Sequence, residues 1–139
     1  MALSLYSLTF PILHSYAGQG ALSIPLTLMS SPSSYVDLLA KLDTGSTYCI
    51  FSRSYSDLLG LDLHSGVPQR MRTATGAFQT YGHEVTVSVF GLEWQAVVYF
   101  AESESLALNV LGRFGFLDRL RIGVVDYDEQ LYLGRYEPA

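Results

Sequence analysis

The sequence predicts an all-β fold, a closed or partly closed barrel carrying one or two short helices. Apolar and polar residues alternate with a period of two over many short stretches, Gly-containing turn signals separate them, and few segments have a helical pattern. A chain of 139 residues can bury a real core but is too short for two full-sized lobes, so residues 1–139 are expected to form one domain.

The expected elements follow in order. Ser4 to Leu13 and Leu22 to Met29 read as two strands, joined as a hairpin by the loop His14 to Gly20. The first stretch lacks a basic start, is broken by Pro11 and alternates like a strand, so it reads as structure rather than as a secretory signal. After Ser30–Ser34, Tyr35 to Leu42 is a third strand, Asp43 to Ser46 a turn, and Tyr48 to Phe51 a fourth strand. Arg53 to Leu59 looks helical, with Gly60 at the usual place of a left-handed cap. Val67 to Thr73 and Phe78 to Phe90 form the arms of a long hairpin tipped by Thr75, Gly76 and Ala77. Glu93 to Ala101, an acidic loop from Glu102 to Ser105, apolar Leu106 to Leu111 and a helix-like Phe116 to Leu120 come next. A last hairpin, Ile122 to Tyr127 with Gln130 to Leu133, turns at Asp128 and Glu129.

Composition narrows the function. Only 15% of residues are charged and 49% are hydrophobic, so the signature of disorder is missing. A net charge of -5, with one lysine among 8 cationic residues, offers no basic stripe for nucleic acid. A single cysteine, Cys49, excludes an intrachain disulfide framework and reads as a buried, inert thiol. His14, His64 and His83 lie far apart in sequence and read as surface or rim residues, so no metal is expected. No apolar run reaches the roughly 18 residues of a membrane helix, and a cytoplasmic location without membrane association is expected. Glu102 and Glu104 read as a solvated loop.

One feature calls for a chemical explanation. Asp43-Thr44-Gly45-Ser46 sits between two apolar segments, which would partly desolvate the Asp43 carboxylate. Asp and Gly also favour ordinary turns, so the tripeptide alone does not decide between turn and site. Further on, Asn109-Val110-Leu111-Gly112-Arg113 places two apolar residues, Gly and Arg after an apolar stretch, with the long hairpin lying between the two motifs. This order of parts, from about Thr9 to Leu133, resembles the retropepsin-like aspartic proteases, the bacterial and cellular members more than the viral ones.

The resemblance implies an aspartic endopeptidase working as a homodimer on peptide or protein substrates, without cofactor. Each chain would supply one catalytic Asp43, and the paired carboxylates would share a proton and activate a water. Thr44 would join the two loops through its hydroxyl, and Gly45 would let substrate backbone approach. Ser46, Thr47 and the hairpin tip Thr75, Gly76 and Ala77 would touch substrate, the hairpin acting as a flap. Val110, Leu111 and Gly112 would support the catalytic loop from below. The family's viral members have an acidic residue just after the motif to pair with the arginine at the position of Arg113, whereas here Ser46, Thr47 and Tyr48 follow. Two rival readings are a non-catalytic peptide-binding or assembly dimer of the same fold, and a hydrolase in which Asp43 works with Asp126 or Glu129 of its own chain.

Overall fold

The strands assemble into two sheets, and the order in which they pair decides where Asp43 lies. In the computed structural model, which describes residues 4–136, the strands are β1 (Ile12–Ser15), β2 (Ser23–Ser31), β3 (Ser34–Leu42), β4 (Ile50–Phe51), β5 (Val67–Thr73), β6 (Gly76–Val89), β7 (Leu92–Ala101), β8 (Val110–Leu111), β9 (Leu120–Val125) and β10 (Gln130–Arg135). Among the described residues the one α-helix, α1, spans Arg53–Leu58, and short 3-10 turns cover Leu63–Ser65, Leu117–Arg119 and Asp126–Asp128. Both helical expectations therefore hold in place, although the second is a single 3-10 turn. Gly60 takes the left-handed conformation expected after α1, with φ +70.

The larger sheet runs β2-β3-β8-β4-β7-β6-β5, and the smaller runs β1-β10-β9. The class is all-β, as expected, but the strands do not form one closed barrel. The larger sheet curls until Thr27–Met29 of β2 meets Thr86–Ser88 of β6, and the smaller sheet stays separate. Long-range pairing also overrides the expected first hairpin. β1 pairs with β10, matching Ile12 to Leu133 and His14 to Leu131, and does not pair with β2. The strand expected from Ser4 begins only at Ile12. Leu5 and Tyr6 are 90% and 95% exposed, so their alternation with serine has no sheet to face.

Alternation elsewhere has the expected consequence. Ile24, Leu26 and Leu28 of β2, Val85, Val87 and Val89 of β6, and Ala96, Val98 and Phe100 of β7 point into one core with Phe51, Leu111, Phe116, Leu131 and Leu133. Thus the smaller sheet delivers Leu131 and Leu133 into the core built by the larger one. Among the described residues, no helix is long and apolar enough to cross a membrane.

Glu102 is half-buried rather than simply solvated: its Oε2 accepts from the Tyr81 hydroxyl at 3.2 Å and lies 3.3 Å from His64 Nε2. Glu104 is exposed, as expected.

The exposed start and the buried end of the fold should answer differently to mutation. Leu131→Ala is expected to cost about 2–5 kcal/mol through lost burial and a residual cavity. Leu5→Ser should change stability by about 0.5 kcal/mol or less. Urea unfolding followed by circular dichroism measures both.

Candidate active site

Asp43 stands at the end of β3, where the chain leaves the sheet before returning as β4. β8 arrives much later in sequence and inserts between them, parallel to β3 and antiparallel to β4. Lys41 faces Val110, Leu42 faces Leu111, and the Asp43 N–H donates to the Leu111 carbonyl at 2.9 Å. Beyond Gly112, the N–H groups of Arg113 and Phe114 donate to the carbonyls of Ser46 and Thr47, each at 2.9 Å. The loop from Asp43 to Tyr48 is thereby held from behind by residues 111–114.

Within the loop, the Gly45 N–H donates to Asp43 Oδ1 at 2.9 Å and the Ser46 N–H to the Asp43 carbonyl at 3.1 Å. The Asx-type turn named as the ordinary explanation of the motif is therefore present. It orients one carboxylate oxygen and leaves the half-buried side chain on the cleft. Thr44 and Gly45 are exposed, and among the described residues the Thr44 hydroxyl has no hydrogen-bond partner within its own chain.

The glycine of the second motif is required by space. A Cβ on Gly112 would lie 2.3 Å from the Tyr48 carbonyl oxygen and 2.6 Å from that of Ser46. Cys49 packs into the same junction, accepting from the Gly112 N–H at 3.4 Å. Burial pushes the Cys49 thiol from 9.0 up to about 11, against a smaller lowering by that N–H. The expectation of a buried thiol is met.

A cleft of about 480 Å³ opens beside the loop. Asp43, Gly45, Ser46 and Thr47 line one side, and Arg70, Met71, Arg72, Thr73 and Phe78 of the long hairpin line the other. Tyr48, Ile50, Leu108 and Val110 complete its walls. Among the described residues lining it, Asp43 is the single carboxylate.

The cleft thus brings together five of the residues expected to form the site, Asp43, Gly45, Ser46, Thr47 and Val110, and leaves others aside. Thr44 adjoins it on the exposed loop, while Leu111 and Gly112 lie behind. The hairpin turns at Ala74 and Thr75, because Gly76 already pairs with Thr73 in the ladder. Thr75, Gly76 and Ala77 are exposed at that end and do not line the cleft. Arg70, Met71, Arg72 and Phe78 do, and sequence reasoning passed over them. Their signal was the two-residue spacing of Arg70 and Arg72 in an arm already recognised as part of the hairpin.

Asp126 and Glu129 do not line the cleft. Asp126 instead accepts a hydrogen bond from Tyr16, beside the smaller sheet. Arg113 is exposed and its guanidinium lies 5.7 Å from the centre of the Phe114 ring, a cation–π contact in place of an acidic partner.

Comparisons with known proteins agree with this geometry. The family described as "Aspartyl protease" matches residues 36–125, a span that includes most of β3, the Asp43 loop, the hairpin and β8. The fold is shared with a retropepsin-like aspartic protease from Rickettsia conorii, at 19% identity and a TM-score of 0.65, over 88% of this chain and 97% of that one. It is also similar to EIAV protease complexed with the inhibitor HBY-793, at 16% identity and a TM-score of 0.55, over 72% of this chain and 88% of that one. A search of curated proteins found no similar sequence.

Two measurements probe the junction behind the loop. Gly112→Ala should lower stability by at least about 1–3 kcal/mol, since a Cβ there meets backbone that cannot rotate away; thermal unfolding reads this directly. Cys49 should resist iodoacetamide in the folded protein and react once urea is added. Because its folded pKa is raised, the neutral thiol contributes stability below pH 9.0 that is lost as the pH rises toward about 11.

Proposed function

The chain belongs to the aspartyl protease family, and from that premise we propose that it is a peptide-bond hydrolase whose active site forms when two copies pair, each giving one Asp43. The observation that carries this reading is the cleft with Asp43 as its single carboxylate. Water activation by this chemistry needs a second acid, one carboxylate acting as base while the other holds a proton. Asp126, occupied by Tyr16, and Glu129 do not line the cleft, so the second carboxylate is read as the Asp43 of another copy.

Two like charges in contact cannot both ionise cheaply, so the pair keeps one proton over a wide pH range. The ionised carboxylate takes a proton from water, and the water oxygen attacks the peptide carbonyl. The protonated carboxylate donates to the carbonyl oxygen, and a proton then passes to the leaving amine as the C–N bond breaks. Thr44, exposed beside Asp43 and with no hydroxyl partner among the described residues, is read as the contact between the two loops. Residues 1–139 are read as one such domain, with Ser46, Thr47 and the walls Ile50, Phe78 and Val110 gripping an extended peptide. Thr75, Gly76 and Ala77 are read as a flap tip that approaches substrate when the hairpin closes.

Asp43→Asn should reduce cleavage of a diverse peptide pool by about 100-fold or more, because it removes the general base; mass spectrometry of the products reads this. Equal activity in both proteins refutes the assignment. Thr44→Val should weaken pairing of the copies in sedimentation velocity, while Thr44→Ser, which keeps the hydroxyl, should retain most of it. The pH profile of kcat/KM should be bell-shaped, falling when both carboxyls are protonated and again when both are ionised.

A further inference from the structure

The cleft beside Asp43 holds charges that the proposed reaction does not use. Arg70 and Arg72 are exposed, stand two residues apart on β5 and therefore share one face of the strand, while Met71 between them is buried. Both line the cleft. Their cross-strand partners on β6 are Gln79 and Ala77, which are neutral. Among the described residues, neither guanidinium has an ion pair.

Four of the five other arginines differ, Arg135 alone among them having no side-chain partner among the described residues. Arg53 donates to the Glu102 carbonyl, Arg119 to that of Gln95 and Arg121 to that of Arg135, and Arg113 lies over Phe114. The chain has 13 acidic residues against 8 basic ones, yet the described cleft lining sets two arginines against a single acid. Like charges on one strand face repel. A carboxylate between the two would relieve that repulsion and accept charge-assisted hydrogen bonds from a guanidinium fork.

Resting on the reading of Asp43 as catalytic, we propose that Arg70 and Arg72 select substrates with an Asp or Glu side chain near an apolar residue at the cleaved bond. The apolar residue meets Ile50, Phe78, Leu108 and Val110, and the acidic one meets the two guanidinia. In a pair of copies the twofold repeats the arginines on both sides of the site, so an acid on either side of the bond is accommodated.

The test uses the full chain and a pool of random-sequence synthetic peptides, with cleavage sites read by mass spectrometry. A matched Glu/Gln pair is then built on the best-cleaved peptide. Wild type should favour the Glu peptide by about three- to tenfold in kcat/KM at low salt, a ratio that shrinks as salt is raised. Arg70→Gln with Arg72→Gln should bring the ratio close to unity, and Arg70→Glu with Arg72→Glu should turn the preference toward a Lys-containing peptide. Asp43-dependent cleavage with no Glu preference in wild type overturns this inference alone. So does a preference that survives the double Gln substitution, or a double Gln variant that alters only the pH profile. Cleavage indifferent to Asp43→Asn, or no cleavage, overturns the aspartic reading and this inference with it.

Discussion

Where Gly112 passes behind Tyr48, two backbone segments lie closer than any side chain would allow, and the shape of the Asp43 loop depends on that approach. β8 can enter between β3 and β4 because Gly112 has no Cβ, and from there residues 111–114 reach the loop with three backbone hydrogen bonds. The loop needs no support from its own front. Thr44 and Gly45 are left exposed, and the Asp43 carboxylate faces the cleft. Rigid backing with an open front is what a site requires if a second chain and a substrate are both to reach it.

Several neighbouring features serve the same junction. Asn109 accepts from the Ser52 N–H through its side chain, and its carbonyl accepts from the Lys41 N–H. The Ser52 hydroxyl accepts from the Leu108 N–H at 2.9 Å. Residues far apart in sequence are therefore locked at the mouth of β8 before it enters the sheet. Such pairings close long loops, which predicts slow assembly of the site relative to the local β6–β7 hairpin. Cys49 fills the space beneath, where its neutral thiol accepts a donor without introducing charge.

Local chemistry was readable wherever a residue's partner lies nearby or its pattern faces the core. The alternation of Val85, Val87 and Val89, the cap at Gly60, the Asp43-Thr44-Gly45 turn and the second motif at Val110–Gly112 all belong to this class. Alternation in Ser4 to Leu13 misled because a strand exists only where another strand pairs with it. The partner of β1 is β10, more than a hundred residues away, and their pairing reaches back only as far as Ile12 opposite Leu133. The hairpin turns earlier than the expected tip of Thr75, Gly76 and Ala77, because Gly76, at φ +150, already pairs with Thr73. Which hairpin residues face Asp43 was hidden for a related reason: Arg70, Arg72 and Phe78 reach the cleft through the curl of the larger sheet, which no local pattern encodes. Tyr81 and His64 likewise meet Glu102 only once β6 and the Leu63–Ser65 turn are packed.

The central claim is that one cleft per chain is half of a working site, and mixing subunits tests it most directly. Wild-type and Asp43→Asn chains are unfolded together, refolded at equal total concentration, and assayed on one peptide as the wild-type fraction is varied. If both carboxylates come from paired chains, activity follows the square of that fraction, so an equal mixture keeps about a quarter of the wild-type rate. A rate of about half, falling in direct proportion to the fraction, would mean that each chain acts alone and would contradict the shared site.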